Sequence, residues 1–171
     1  MAKLTLILGG ASSGKSLFAE NLARATKKQP VYLATAQALD GEMEKKISRH
    51  RMRRGPEWAL LEAPVSLAPL FCRFSSRQVV LLDCLTLWLS NLMHAARDID
   101  DATDTLLCAI RDGDAETVAV SNETGLGLVP ETQLGRRFRD AQGLLNQKFA
   151  AAADEVTFVA AGLPLCLKAP A

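Results

Sequence analysis

Residues 3–16 read Lys-Leu-Thr-Leu-Ile-Leu-Gly-Gly-Ala-Ser-Ser-Gly-Lys-Ser, and they predict the class of fold. Its first six residues, 3–8, form an apolar run that is typical of a buried strand. Residues 9–16 fit the pattern Gly-x-x-x-x-Gly-Lys-Ser/Thr in full. Residues 15–27 are rich in Ala and Leu and predict a helix that starts where the pattern ends. A strand, a glycine-rich turn and a helix in this order predict a loop that binds the phosphates of a nucleotide.

The predicted loop carries the groups that a triphosphate requires. Glycines let backbone N–H groups approach an anion closely, and the positive end of the next helix points at it. We expect Lys15 to reach the β- and γ-phosphates and the Ser16 hydroxyl to bind Mg²⁺. A glycine-rich turn can be a turn and no more, but the flanking strand and helix favour nucleotide binding. The predicted phosphate-binding residues are Gly9, Gly10, Ala11, Ser12, Ser13, Gly14, Lys15 and Ser16.

A second candidate for the metal site is Asp83, at the end of the apolar run 78–83. A carboxylate at the end of a strand near a phosphate loop is placed to reach the Mg²⁺ of a bound nucleotide. The alternative is that Asp83 caps the helix predicted to begin at Leu85. The sequence has no Asn-Lys-x-Asp motif for reading a guanine base, which argues against a switch GTPase.

Apolar runs alternate with helical patterns along the rest of the chain. Continuous Val, Ile and Leu runs are typical of parallel strands buried on both faces, and their alternation with helices predicts an α/β sheet with right-handed crossovers. We predict strands over residues 3–8, 31–35, 58–62, 78–83, 117–121, 155–160 and 163–168. We predict helices over residues 15–27, 40–54, 85–96, 101–111 and 130–152. No repeat or long linker interrupts the pattern, so we expect residues 1–171 to form one domain.

The composition excludes several other classes of protein. There are 20 Lys and Arg against 19 Asp and Glu, a net charge of +1 that argues against nucleic-acid binding over a broad surface. The four cysteines are scattered without a Cys-x-x-Cys pair, as in proteins of a reducing compartment. No signal-peptide pattern is present, and no apolar run approaches the ~20 residues of a membrane span. The sequence therefore predicts a cytoplasmic protein without a membrane span.

The near-zero charge hides two biased segments. Residues 42–54 carry a net charge of +4, and residues 98–116 carry −6. In the first segment, His50 shares a predicted helical face with Lys46, Arg53 and Arg54. Nearby cations favour a neutral imidazole, which can act as a nucleophile at phosphorus, and the same cations can hold a phosphate chain. The alternative is a solvated helix whose acidic first turn and basic last turn match its dipole.

A further candidate segment follows the predicted strand 117–121. Asn122 and Glu123 lie where parallel strands of α/β proteins end and bind ligands. Gly125 and Gly127 indicate a loop that moves or is approached closely. The residues fit a substrate site and an ordinary surface loop equally well.

Taken together, these motifs resemble one family in both content and order. The segments that carry the resemblance are Gly9–Ser16, Ala34-Thr-Ala36, His50-Arg51, Leu81-Leu-Asp83-Cys-Leu-Thr, Val120-Ser-Asn-Glu123 and Gly127-Leu-Val-Pro130. The chain resembles the bifunctional adenosylcobinamide kinase/adenosylcobinamide-phosphate guanylyltransferases of bacterial cobalamin biosynthesis, over about residues 4–168. The resemblance implies a RecA-like phosphate-loop fold and a homotrimer. It also implies that ATP or GTP phosphorylates adenosylcobinamide, and that GMP from GTP then passes through a histidine to adenosylcobinamide phosphate.

The resemblance assigns roles to individual residues. His50 matches the family's nucleophile, and Glu62 and Asp83 match single nucleotide contacts. Further nucleotide-contacting positions match Ala34, Thr35, Ala36, Arg51, Met52, Arg53 and Arg54, beside the phosphate loop. One departure concerns Ser12, where the family commonly has Arg. A hydroxyl cannot supply that positive charge, so the affinity for nucleotide or the balance of the two reactions is open to change.

Two other functions remain open at this stage. One is a phosphate-loop kinase for a small molecule without a covalent step. The other is a nucleotide-binding scaffold or switch whose basic helix docks an acidic partner, such as the segment 98–116 of a second copy.

Overall fold

The computed structural model describes residues 2–36 and 55–169, and within them seven strands form one sheet. The strands are β1 (Leu4–Gly9), β2 (Gln29–Ala34), β3 (Ala59–Glu62), β4 (Gln78–Asp83), β5 (Glu116–Asn122), β6 (Glu155–Ala160) and β7 (Leu163–Lys168). The helices are α1 (Lys15–Ala25), α2 (Leu85–His94), α3 (Ile99–Asp112) and α4 (Gln133–Ala152), with a 3-10 helix over Ala68–Arg73. The strand order is β3-β2-β4-β5-β1-β6-β7, and β7 runs antiparallel to the rest. The predicted, mainly parallel α/β sheet is confirmed.

The ends of several elements differ from the prediction for local reasons. Helix α3 begins at Ile99 because the Asp98 carboxylate accepts a hydrogen bond from the Asp101 N–H and caps the helix. Helix α4 begins at Gln133, after Pro130, because the Thr132 hydroxyl caps the Gly135 N–H. The 3-10 helix was not predicted. The helix predicted over residues 40–54 lies outside the described residues.

Alternate residues of the central strands face two different helical layers. Ile7, Leu81 and Val120 belong to a core with Ala19 and Ala23 of α1. Their neighbours along the strands, Leu6, Leu82 and Ala119, belong to a larger core on the other face of the sheet. That core is formed with residues of α2, α3 and α4, among them Trp88, Leu145 and Phe149. The uninterrupted apolar runs of the sequence are explained by this burial on both faces.

The order of the strands brings three chain segments to one edge of the sheet. Strand β5 lies between β1 and β4, so Gly9, Asn122 and Asp83 all end parallel strands at the same, carboxyl, edge. Gly9 pairs with Asn122, and Asp83 pairs with Val120 two residues earlier on β5. This edge is where α/β folds of this kind bind ligands. Among the described residues, no helix is both long and apolar enough to cross a membrane.

Replacement of Trp88 by Ala is expected to lower the free energy of unfolding by about 3–5 kcal/mol. Trp88 is 1% exposed in the larger core, and its indole N–H donates to the Val65 carbonyl at 2.8 Å. Denaturant unfolding followed by circular dichroism measures the change. Trp88→Phe keeps most of the apolar contact and should cost clearly less. An alanine variant as stable as the phenylalanine variant would contradict this account of the core.

Candidate active site

The phosphate loop has a backbone that two of its glycines make possible. A Cβ atom on Gly9 would lie 2.5 Å from both the Ser13 Oγ and the Val159 carbonyl oxygen. Gly14 has a φ of 94°, and a Cβ there would lie 3.1 Å from the Cα of Gly162. Gly162 also donates its N–H to the Ser13 carbonyl at 2.8 Å. The turn between β6 and β7 therefore braces the loop from outside, and the loop tolerates no side chain at these two glycines.

Lys15 begins α1 and is 8% exposed, with its Nζ donating to the Gly10 carbonyl at 2.9 Å. The ammonium group thus lies over the loop's own backbone, where a bound triphosphate would place its phosphates. Ser16 follows in the first turn of α1 and is half-buried. The Ser13 hydroxyl is buried and has no hydrogen-bond partner within the described residues. An unpaired hydroxyl inside a loop of this form fits a ligand that accepts hydrogen bonds, as phosphate does.

Asp83 is held in place by a neighbouring strand. The Tyr32 hydroxyl on β2 donates to the Asp83 carboxylate at 2.9 Å. By strand alternation Asp83 lies on the α1 side of the sheet, the side of Lys15 and Ser16. A serine hydroxyl and a carboxylate are the hard oxygen ligands that Mg²⁺ takes beside substrate phosphates. Within residues 2–36 and 55–169, no three His, Cys, Asp or Glu side chains are grouped so that they could hold a metal ion.

Thr35 locks the end of β2 to the residue after Asp83. Its hydroxyl donates to the Cys84 carbonyl at 2.8 Å and accepts the Cys84 N–H at 2.9 Å. Asn91 of α2 donates to the Thr35 carbonyl at 2.9 Å. Burial, with the Asp83 carboxylate beside it, raises the pKa of the Cys84 thiol to about 11, which disfavours the thiolate near neutral pH. Thr35 is buried, and its side chain serves this structural lock.

The other predicted contacts lie at different distances from the loop. Ala34 pairs with both Asp83 and Glu62, so the strand ends of β4, β2 and β3 lie in a row. Glu62 is exposed at the outer end of this row. Ala36 is half-buried and is the last residue described before the segment that holds His50. His50, Arg51, Met52, Arg53 and Arg54 lie outside the described residues, and their roles stay predictions.

Beyond the predicted residues, a buried polar network supports the end of β5. The Ser121 hydroxyl donates to the Asn146 side-chain oxygen at 2.6 Å, and the Gln142 side-chain amide donates to the Ser121 hydroxyl at 2.9 Å. Sequence reasoning missed Gln142 and the partners of Asn146. The available signal was the pair of polar residues at i and i+4 within the apolar stripe of α4, where a polar side chain needs a partner.

The loop that follows β5 starts beside the phosphate loop in space, and it is largely exposed. The Glu123 N–H donates to the Gly9 carbonyl at 3.0 Å, which ties the start of this loop to the end of β1. The Glu123 carboxylate accepts the N–H of Gly125. Leu126 and Leu128 are 82% and 96% exposed. An apolar surface therefore lies on the loop that leaves the phosphate site.

A phosphate loop between β1 and α1, with a carboxylate two strands away, defines a P-loop nucleotide-binding protein of the RecA-like class. The crystal structure of the RadB recombinase has the same fold, with a TM-score of 0.50 and 14% identity, over 91% of this chain and 73% of that chain. Residues 5–167 match the family described as cobinamide kinase / cobinamide phosphate guanyltransferase. The chain belongs to this family and is a bifunctional enzyme of cobalamin biosynthesis, a kinase and guanylyltransferase.

Curated relatives match along almost their whole length. The bifunctional adenosylcobalamin biosynthesis protein CobP of Pseudomonas aeruginosa is 46% identical over 95% of this chain and 96% of its own. The bifunctional adenosylcobalamin biosynthesis protein CobU of Salmonella typhimurium is 38% identical over 96% of this chain and 99% of its own. The protein of the same name from Escherichia coli is 37% identical, with the same coverage of both chains. The resemblance seen in the sequence is confirmed.

Proposed function

We propose that this enzyme works in the cytoplasm and carries out two successive transfers to one acceptor. It first phosphorylates the hydroxyl of adenosylcobinamide with ATP or GTP. It then transfers GMP from GTP to the new phosphate through a covalent GMP-histidine, giving adenosyl-GDP-cobinamide and pyrophosphate. The observation that carries the proposal is the phosphate loop, with Lys15 over its backbone, in a chain of the cobinamide kinase family.

In the first step, the acceptor oxygen bonds to the γ-phosphorus, the bond to the β–γ bridging oxygen breaks, and the hydroxyl proton is released to water. Lys15 and the N–H groups of residues 9–16 hold the phosphates and offset the charge that moves to the leaving diphosphate. Ser16 and Asp83 are the residues that would hold Mg²⁺, which supplies further positive charge to the triphosphate when bound. The Tyr32 hydroxyl orients the Asp83 carboxylate for this role.

In the second step, a ring nitrogen of His50 bonds to the α-phosphorus of GTP, and pyrophosphate leaves. The phosphate of adenosylcobinamide phosphate then bonds to the same phosphorus and releases the histidine. Arg51, Arg53 and Arg54 follow His50 in sequence and supply cations for the developing charge. The order of the two steps follows from their chemistry, because the second requires the phosphate that the first adds.

The acceptor side and the assembly are supported by separate features. The exposed leucines of the loop after β5 suit a large, partly apolar acceptor whose hydroxyl must reach the phosphate loop. A homotrimer is proposed from the family resemblance. Within the acidic segment 98–116, Lys148 pairs with Asp100 at 3.0 Å and with Asp104 at 2.9 Å, which offsets part of the negative charge.

The wild-type protein tests the proposal with GTP labelled in turn at its α- and γ-phosphates, in the presence of Mg²⁺. With the γ-label, radioactivity should appear on adenosylcobinamide. With the α-label, it should appear on the denatured protein as an acid-labile, base-stable bond, and on the product when adenosylcobinamide phosphate is added. Transfer of the γ-label without any α-label on protein or product would reduce the function to a simple kinase. The γ-label is supplied in ATP as well, and transfer of neither label from either nucleotide would refute both steps.

A further inference from the structure

The turn between β6 and β7 has an N–H group that the hairpin itself does not use. Ala160 pairs with Leu163, so the turn has two residues. These are Ala161 and Gly162, with φ values of 51° and 80°. Turns of this kind need positive φ at both positions, and the hydrogen bonds of the hairpin belong to the two flanking residues. The Gly162 N–H is therefore left over, and it donates to the Ser13 carbonyl of the phosphate loop at 2.8 Å.

This hydrogen bond sets the direction of the next N–H group in the phosphate loop. The carbonyl and the N–H of a trans peptide point in opposite directions, and the Ser13–Gly14 peptide is trans. The Ser13 carbonyl points outward to the hairpin, so the Gly14 N–H points to the opposite, inner side of the loop. The inner side is where the backbone N–H groups of such loops hold the phosphates of a nucleotide. The orientation of one phosphate-binding group therefore depends on a residue outside the motif.

The contacts of Ser13 within the loop hold this peptide only weakly. Gly14 has a φ of 94° and no Cβ, so the peptide plane before it can turn over at a small steric cost. The Ser13 hydroxyl has no hydrogen-bond partner within the described residues, and the Ser13 N–H reaches the Gly10 carbonyl at 3.3 Å. The hydrogen bond from Gly162 is shorter. The hairpin therefore supplies the contact that selects one orientation of the Ser13–Gly14 peptide.

We propose that Gly162 is a positioning residue for nucleotide binding, whose backbone N–H keeps the Gly14 N–H turned toward the phosphates. Gly162 does not touch the nucleotide itself. The inference rests on the nucleotide-binding part of the proposed function, so binding of GDP to the wild-type protein is measured first. A wild-type protein that bound no GDP would refute the function of the phosphate loop, whereas unchanged binding in the variants below refutes the role of Gly162 alone.

Replacement of Gly162 by glycolic acid, introduced by cell-free translation with a charged suppressor tRNA, turns one amide into an ester and removes the N–H. Calorimetry with Mg²⁺ should show about tenfold weaker binding of GDP, and of a GTP analogue with an imido β–γ bridge, because both carry the α- and β-phosphates that the loop holds. Lactic acid in place of Ala161 is the matched control in the same turn and should bind GDP like the wild type. An unchanged GDP affinity in the Gly162 ester, an equal loss in both esters, or a loss confined to the triphosphate would overturn the proposal.

Two side-chain variants test the same role with the N–H retained. A Cβ atom on Gly162 would meet no heavy atom of the described residues within 4 Å, so added bulk is not itself the obstacle. Asn adopts positive φ readily, whereas a β-branched residue does not. Gly162→Asn should therefore bind GDP like the wild type, and Gly162→Val should bind it about tenfold more weakly. Equal GDP affinity in the two variants would contradict a role for the direction of this N–H.

Lys168→Met separates this contact from the overall stability of the hairpin. The Lys168 ammonium donates to the carbonyls of Ala150 at 3.3 Å, Ala151 at 3.1 Å and Ala153, which anchors the far end of β7 to the end of α4. Its loss should lower the free energy of unfolding and leave the GDP affinity unchanged. If Lys168→Met weakens GDP binding as much as the Gly162 ester does, the hairpin acts through its stability and the proposal is wrong.

Discussion

Lys15→Ala is expected to lower kcat/KM for phosphorylation of adenosylcobinamide by on the order of 10³-fold, and to remove the α-label from the protein. Lys15 is the buried cation at the start of α1, and its Nζ reaches the Gly10 carbonyl over the phosphate loop. Both proposed reactions use a nucleoside triphosphate, so both depend on this charge. The measurement is initial-rate kinetics with γ-labelled GTP, beside α-label incorporation.

Lys148→Ala is the control for the loss of one lysine. Lys148 lies on the outer surface of α4, where its ion pairs with Asp100 and Asp104 raise the pKa of its ammonium group. That variant should retain wild-type rates. The unfolding curve of Lys15→Ala is recorded beside the kinetics, so that loss of activity in the folded protein is distinguished from unfolding. Kinase activity within tenfold of wild type in Lys15→Ala would refute the role of this loop.

The fold was predictable because each strand carries its own signal. The apolar run before Gly9 and the runs that end at Asp83 and Ser121 are continuous, and continuous runs are what burial on both faces of a parallel sheet requires. Element ends were less predictable, since caps at Asp98 and Thr132 compete with other polar residues nearby. The antiparallel direction of β7 depends on Ala161 and Gly162, whose φ values of 51° and 80° turn the chain back.

The part of the site that could be predicted is the phosphate loop, because a single contiguous motif contains all of its residues. Residues 9–16 are contiguous, so the pattern of glycines, Lys15 and Ser16 describes the loop completely. The Tyr32–Asp83 bond joins residues 51 positions apart, and the Gln142–Ser121 bond joins residues 21 apart. Neither can be read from spacing, because strand order decides which residues meet. Thr35 was predicted as a nucleotide contact, and its hydroxyl is hydrogen-bonded to the backbone of Cys84.

The position of the positive charge bears on the second reaction. Lys15 supplies a cation at the phosphate loop, whereas Ser12 of the same loop carries no charge. Residues 42–54, which follow β2 in the sequence, carry a net charge of +4. A nucleophile for the α-phosphorus needs such cations beside it, because charge builds on the phosphoryl oxygens as the new bond forms. Of the two histidines, His50 is the one that lies within that segment.

His50→Asn is expected to abolish α-label on the protein and formation of adenosyl-GDP-cobinamide, while γ-phosphate transfer to adenosylcobinamide continues. The chain contains two histidines, so His94→Asn is a complete matched control. His94 is exposed at the end of α2, and its Nδ1 donates to the Ser90 carbonyl at 2.7 Å. This hydrogen bond gives His94 a structural role within the helix. That variant should label like the wild type. Label retained in His50→Asn would move the covalent step to another residue, whereas loss of both activities would assign His50 to nucleotide binding instead.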